Sequence, residues 1–82
     1  MKKLFVGSLA WATTDDTLKS HFEQAGTVAS AKVITDRESG RSRGFGFVEY
    51  ENDAEGDAAI EKLNNSELDG RTITVNEARP RD

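Results

Sequence analysis

The sequence predicts an α+β fold in which two helices cover one face of a four-stranded antiparallel sheet. Four stretches, residues 3–7, 28–35, 43–50 and 71–76, alternate between inward and outward side chains as half-buried strands do. Two stretches between them repeat apolar residues at helical spacing. The predicted order is therefore strand, helix, strand, strand, helix, strand.

The first helix is predicted to begin at Thr13-Thr14-Asp15-Asp16. A hydroxyl there accepts a hydrogen bond from a free backbone N–H, and the acids favour the positive end of the helix dipole. Gly26 is expected to end the helix. The apolar stripe facing the sheet consists of Leu18, Phe22 and Ala25.

The second helix is predicted over residues 52–63. Asn52 is suited to its N-terminal cap, with Glu55 three residues later as in a capping box. Asn64-Asn65 is expected to end the helix, because Asn tolerates the left-handed backbone conformation. The positions expected to be buried are Gly56, Ala59, Ile60 and Leu63.

The strands carry a second set of core positions. Val28 and Ala31 break strict alternation, so a bulge is expected near the start of the second strand. Residues 36–41 form a predicted hairpin loop, and a polar tail is expected from Glu77 to the last residue. The inward-facing residues are Leu4, Val6, Val28, Ala31, Val33, Val48, Tyr50, Ile73 and Val75.

This order of elements is the split βαβ, or ferredoxin-like, arrangement βαββαβ. Right-handed crossovers place both helices on one face of the sheet and put the first and third strands side by side in its centre. The topology is therefore expected to bring Phe5 next to Phe45 and Phe47.

The third predicted strand, residues 43–50, has an unusual alternation. Phe45 and Phe47 share one face with Arg43 and Glu49, so that two rings lie between two charges. Turning that face inward would bury charges without partners, which costs several kcal/mol. We therefore interpret it as a largely exposed aromatic surface. Flat rings beside a cation suit unpaired bases on a phosphate backbone.

The octamer RGFGFVEY resembles the longer signature of the RNA recognition motif family at every constrained position. The hexamer LFVGSL at residues 4–9 resembles the shorter signature, with Ser8 where Asn is more usual. The resemblance covers essentially the whole chain. It is closest to single-motif proteins of the glycine-rich, cold-inducible type, without their glycine-rich tail, and it implies both this fold and RNA binding.

The resemblance also implies roles for particular residues. Phe5, Phe45 and Phe47 correspond to the positions that stack bases, and Arg43 to the residue that meets a phosphate. A second group of candidates lies on the same predicted face or in the tail, and it comprises Lys3, Lys32, Ile34, Thr74, Asn76, Ala78 and Arg79.

Some positions keep two interpretations. Trp11, in the first loop, either stacks on a base or covers the edge of the core, and the second is favoured. The tail around Arg79 either lies across the sheet or is a disordered terminus. Arg37 and Arg41 either clamp a phosphate backbone or solvate their loop.

The composition narrows the class of protein. At 82 residues, residues 1–82 are expected to form one small domain, and the lack of cysteine excludes disulfides and thiolate metal sites. No apolar run suits a signal peptide or a membrane span, so an intracellular protein is expected, in either cytoplasm or nucleus. The net charge of −4 opposes a polyanionic partner, but the acids concentrate in the predicted helices, away from the aromatic surface.

The predicted function is a monomeric RNA-binding module for short single-stranded RNA, with single-stranded DNA as the alternative ligand. No cofactor and no enzymatic activity are expected, since Asp15 and Asp16 suit helix capping better than catalysis. One rival is a protein-interaction module that uses the acidic helical face of the same fold. The other is a ferredoxin-like enzyme such as an acylphosphatase, whose anion-binding loop is not found in the sequence.

Overall fold

The computed structural model describes residues 2–35, 38, 40 and 42–78, and the side chains of Ser42 and Arg43 lie outside that description. Six strands and two helices follow one another along the chain. They are β1 (Lys2–Gly7), α1 (Asp15–Phe22), β2 (Val28–Thr35), β3 (Ser42–Tyr50), α2 (Asp53–Leu63), β4 (Glu67–Leu68), β5 (Arg71–Thr72) and β6 (Thr74–Glu77).

The main sheet has four antiparallel strands in the order β2-β3-β1-β6, and β4 with β5 forms a separate two-stranded hairpin. The central pair is β1 and β3, as the predicted topology requires. Both helices pack on the same face of the sheet. The predicted α+β, ferredoxin-like fold is therefore confirmed.

The core lies between the helices and the sheet. Leu18 and Phe22 of α1, and Ala59 and Leu63 of α2, are buried there. From the sheet side they meet the buried residues Leu4, Val6, Val28, Val33, Val48, Tyr50, Ile73 and Val75. These are the inward faces that the alternation predicted.

Tyr50 ties the sheet to the first helix. Its hydroxyl donates a hydrogen bond of 2.5 Å to the backbone carbonyl of Phe22, and the residue is fully buried. Burial, with a smaller contribution from the Glu55 charge, raises the pKa of Tyr50 to about 12. The hydroxyl therefore stays protonated and keeps donating.

Both helices begin at the predicted caps. The Thr14 side chain accepts from the Thr17 N–H, and the Asn52 side chain accepts from the N–H groups of Ala54 and Glu55. These contacts satisfy donors that a helix start leaves free. The caps explain why the helices start where they do.

The predicted end of the first helix is wrong. The helix stops at Phe22 and not at Gly26, and the Phe22 carbonyl there accepts from the Ala25 N–H and the Tyr50 hydroxyl. Glu55 accepts a hydrogen bond of 3.0 Å from the Thr27 N–H, and a Cβ on Gly26 would lie only 2.6 Å from the Glu55 carboxyl carbon. Glu55 therefore joins the two helical segments instead of forming a capping box with Asn52.

The predicted single last strand is also wrong. Residues Arg71–Thr72 pair with Glu67–Leu68 across an Asp69-Gly70 turn in which both residues have positive φ, 52° and 80°. The sequence Asp-Gly is the usual signal of such a hairpin. Only Thr74–Glu77 joins the main sheet, so Glu77 belongs to a strand and not to a polar tail.

Register shifts interrupt the edge strand β2 at two places. One lies between Val28 and Ser30, where a bulge was expected, and the other lies between Val33 and Thr35. The second shift was not predicted. There, Ile34 alone stands opposite residues 43–45 of β3, which include Gly44 with a φ of 85°.

At each edge of the sheet, a side chain from a helix end accepts a hydrogen bond from one backbone N–H of the edge strand. Asp15 accepts a hydrogen bond of 2.7 Å from the Val33 N–H of β2, and Asn64 accepts one of 3.0 Å from the Val75 N–H of β6. Edge donors that are already bonded cannot pair with another strand. Asp15 thus does more than favour the start of its helix.

Replacing Phe22 by Ala should lower the free energy of unfolding by about 3 to 5 kcal/mol, because the ring is fully buried between α1 and the sheet. That is a large part of the stability of a small domain. Urea denaturation monitored by circular dichroism measures the loss. Lys19→Ala, on the exposed side of the same helix, is the control and should change the midpoint little; equal losses in both variants would contradict the packing of α1.

Candidate nucleic-acid interface

Three phenylalanines form a contact cluster on the sheet face that the helices leave uncovered. Ring centroids are 5.6 Å apart for Phe5 and Phe45, 5.8 Å for Phe5 and Phe47, and 6.3 Å for Phe45 and Phe47. The first pair is stacked and the other two are edge-to-face. We call this surface, defined by the three rings, the ring face.

The pairing of strands positions the rings. Phe5 of β1 lies directly opposite Phe47 of β3, and Gly7 lies opposite Phe45. On the other side of β1, Asn76 lies opposite Phe5. Residues that are distant in sequence therefore meet because β1 is central.

The rings are less exposed than the sequence suggested. Each of the three is half-buried, whereas the prediction had them largely exposed. They cover one another, and the Lys3 ammonium nitrogen lies 4.7 Å from the centroid of the Phe47 ring. The cluster thus combines packing within the protein with surface that remains open to a ligand.

Two glycines of β3 allow this arrangement. A Cβ on Gly46 would collide with the backbone carbonyl of Lys32, so glycine permits the close approach of β2 and β3 between the two rings. Gly44 has a φ of 85°, which residues with a Cβ rarely adopt. Its carbonyl accepts a hydrogen bond of 2.9 Å from the Leu9 N–H, which fixes the loop after β1.

Polar and apolar side chains surround the ring face. On the β2 side, exposed Lys32 and half-buried Ile34 line a shallow depression of about 520 Å³ together with Lys3 and Phe47. On the β6 side, Thr74 is half-buried and Asn76 is exposed. The structure therefore brings these five candidates to one face.

The end of the described chain continues along β1. Ala78 is half-buried, and its N–H donates a hydrogen bond of 2.9 Å to the Lys3 carbonyl. Arg43 lies in β3, but its side chain is outside the described residues, as are Arg37, Arg41 and Arg79 entirely.

Not all acids lie on the helical side. Asp15 lines the depression beside Lys32 and Phe47, and Glu49 is half-buried on the same face. The expectation that the acids of the first helix lie away from the aromatic surface is therefore wrong for Asp15, because the helix starts against the edge of β2.

Trp11 does not cover the core. It is 71% exposed, and it lines a groove of about 580 Å³ at the β2 edge with Lys32, Thr35 and Asp15. The favoured interpretation from the sequence is thus wrong. A single aromatic residue in a loop offers no periodicity from which its burial could be read.

The described residues show neither a metal-binding group nor a membrane span. No three His, Cys, Asp or Glu side chains among them are placed to hold a metal ion. None of the helices in these ranges combines the length and apolar character needed to cross a bilayer.

The family model of the RNA recognition motif matches residues 4–74. This chain belongs to the RNA recognition motif family. The two signature segments, residues 4–9 and 43–50, coincide with β1 and β3 and the turns beside them, so they lie adjacent in the sheet centre.

Relatives and solved structures agree with this assignment. The chain is 57% identical over 79 residues to glycine-rich RNA-binding protein 8 of Arabidopsis thaliana, and 54% identical over 79 residues to a glycine-rich RNA-binding protein of Daucus carota. Each match covers 96% of this chain but only 47% and 50% of the relatives, so the chain spans about half of their length.

Two crystal structures have the same fold over their full extent. One is of the RNA binding protein PG1, with a TM-score of 0.92 and 45% identity. The other is the second RNA recognition motif domain of the yeast poly(U)-binding protein Pub1, with a TM-score of 0.89 and 30% identity. Both alignments cover 100% of this chain and 99% of the other.

Gly44 and Gly46 of β3 should differ in how well each tolerates the methyl group of alanine. Gly46→Ala should lower the free energy of unfolding by about 3 kcal/mol or more, as overpacking against backbone does, because the Lys32 carbonyl cannot move aside as a side chain can. In Gly44→Ala the new Cβ meets no atom within 4 Å. Its free energy of unfolding should therefore fall only by the roughly 1 to 2 kcal/mol that the left-handed conformation costs a residue with a Cβ. Denaturation of both variants measures the order; a larger loss for Gly44→Ala would contradict the close strand approach.

Proposed function

We propose that this chain binds a short stretch of single-stranded RNA by stacking bases on Phe5, Phe45 and Phe47. The observation that carries the proposal is the mutual contact of three rings on the open face of the sheet. Rings already held by one another lose little freedom when a base stacks on them. Relatives that are named RNA-binding proteins support RNA as the ligand.

The surrounding residues take complementary roles in this proposal. Arg43 and Lys32 meet phosphates, and Lys3, which already lies against the Phe47 ring, adds positive charge beside a stacked base. Ile34 packs against a base or sugar from the β2 side. On the β6 side, Thr74, Asn76 and Ala78 contact the RNA through hydroxyl, amide and backbone groups. Arg79, the next residue in the sequence, is a further proposed contact.

In this proposal, Trp11 extends the surface along which the RNA strand runs. Lys32 and Asp15 line both the depression beside Phe47 and the groove beside Trp11, so the two are neighbours. An RNA strand that leaves the ring face toward β2 reaches the exposed indole of Trp11. Trp11 thus takes the base-stacking role that was the less favoured of its two interpretations.

Single-stranded nucleic acid is the class of ligand that stacking on the ring face requires. Single strands present free base faces, whereas the bases of a duplex are stacked and cannot reach the rings. Single-stranded DNA can stack as well, and in this proposal the hydroxyl of Thr74 and the amide of Asn76 distinguish a ribose by its 2′-OH. We propose that residues 1–82 act as one monomeric binding module without a catalytic step.

Replacing Phe45 or Phe47 by Ala should weaken binding by about 1 to 3 kcal/mol each, the range measured for base stacking on an aromatic side chain. Titration of a short single-stranded RNA, followed by backbone amide shifts, measures both the affinity and the surface involved. The shifts should concentrate on β1 and β3.

The matched control is Ile60→Ala, a half-buried residue on the helix side. It should lose stability without losing affinity per folded molecule. If the ring variants bind like the control, the rings do not contact RNA; if the shifts concentrate on the helices, a protein-interaction surface becomes the better explanation.

Binding should be modest in strength and weakly dependent on salt. A few stacking contacts, set against the ordering of a flexible strand, predict a dissociation constant near micromolar, about −8 kcal/mol. With about three phosphate contacts at −0.7 each, the slope of log affinity against log salt should be no steeper than about −2. Fluorescence titrations across a salt series measure both quantities.

The duplex of the same sequence is the control in these titrations, and it should bind far more weakly. Nanomolar affinity with a steep slope, or preference for the duplex, would mean that charge and not stacking governs recognition.

A further inference from the structure

Glu49 places a carboxylate on the ring face. It follows Phe47 by two residues on the same side of β3, a spacing of about 6.6 Å along a strand. The side chain is half-buried and lines the depression that Phe47, Lys3 and Lys32 share. A base stacked on Phe47 therefore has this carboxylate at its edge.

The carboxylate is not engaged within the described part of the chain. Its cross-strand neighbours are Lys3 on β1 and Ser30 on β2. Lys3, the natural ion-pair partner, instead directs its ammonium group over the Phe47 ring at 4.7 Å. No hydrogen bond or ion pair among the described residues reaches Glu49, so both of its oxygens can accept from a ligand.

A carboxylate at this position cannot serve as a phosphate contact. It is an acceptor only, and it repels the phosphate backbone. Whatever it recognises must present hydrogen-bond donors. On RNA these donors are the ribose 2′-OH, which every nucleotide carries, and the N–H groups on the Watson–Crick edge of an unpaired base, which differ between bases.

The four bases differ in that edge. Guanine presents two adjacent donors, N1–H and N2–H, which match the two oxygens of a carboxylate. Cytosine and adenine each present one amino group beside an acceptor nitrogen, and uracil presents one N–H between two carbonyls. Only guanine can therefore form a pair of parallel hydrogen bonds with Glu49.

We propose that Glu49 is a specificity-determining residue that selects guanine for the base stacked on Phe47. The inference rests on the proposed function, since it requires RNA on the ring face. It predicts that this chain prefers a guanine within a run of other bases, and that the preference depends on one side chain.

The test compares four single-stranded heptamers of uridine whose central base is guanine, inosine, cytosine or uracil. The base of inosine, hypoxanthine, is guanine without the N2 amino group, so it keeps the stacking surface and loses one donor. The parent chain should bind the guanine heptamer at least about 5-fold more tightly than the inosine one, the lower end of the discrimination of a bidentate contact. Glu49→Gln should bring that ratio close to one.

Glu61→Gln removes the same charge from an exposed position on α2 and is the matched control. It should keep the guanine preference of the parent chain. Melting of both variants checks that each is folded, and the comparison of guanine with inosine on the parent chain needs no variant at all.

The outcomes are separable. If Glu49→Gln tightens binding to all four heptamers by the same factor, the carboxylate only repels phosphate and the inference is overturned. Equal affinity of the parent chain for guanine and inosine also overturns it, while leaving RNA binding intact. If the parent chain binds none of the heptamers, it is the proposed function that fails.

Discussion

The antiparallel pairing of β1 with β3 is the contact on which the rest of the structure depends. It sets Phe5 opposite Phe47 and Gly7 opposite Phe45, and on the other face it sets Leu4 opposite Val48. One register therefore builds the ring face and the core together. A shift by one residue would turn the rings toward the helices and expose the aliphatic side chains, so neither side can change independently.

The three rings are half-buried, so they pack within the protein and also keep an open surface. Phe5, Phe45 and Phe47 contact one another, and the Lys3 ammonium lies against Phe47. Each ring thus contributes to holding the sheet face while keeping part of its surface open. For the proposed stacking of bases, rings that already hold one another have little side-chain entropy left to lose.

Side chains at the helix ends form hydrogen bonds with the two edge strands of the sheet. Asp15 accepts from the edge of β2, and Asn64 accepts from the edge of β6. These side chains leave the sheet with bonded edge donors at Val33 and Val75, which removes sites where another strand could pair. Asp15 also brings a negative charge beside Lys32, so the rim that faces the proposed RNA carries both signs of charge.

The sequence by itself determined the order of the two helices and the four main-sheet strands, the inward and outward faces of those strands and the left-handed end of α2 at Asn65. Periodicity and local backbone preference, which predict these features, are properties of neighbouring residues. The tertiary structure decided what depends on distant partners. The first helix ends at Phe22, whose carbonyl accepts from the hydroxyl of the distant Tyr50, and the rings are half-buried because three strand positions converge. The Asp69-Gly70 hairpin had a local signal that the predicted single strand overlooked. The exposure of Trp11 had none, since only the packing of surrounding elements decides whether a loop side chain is covered.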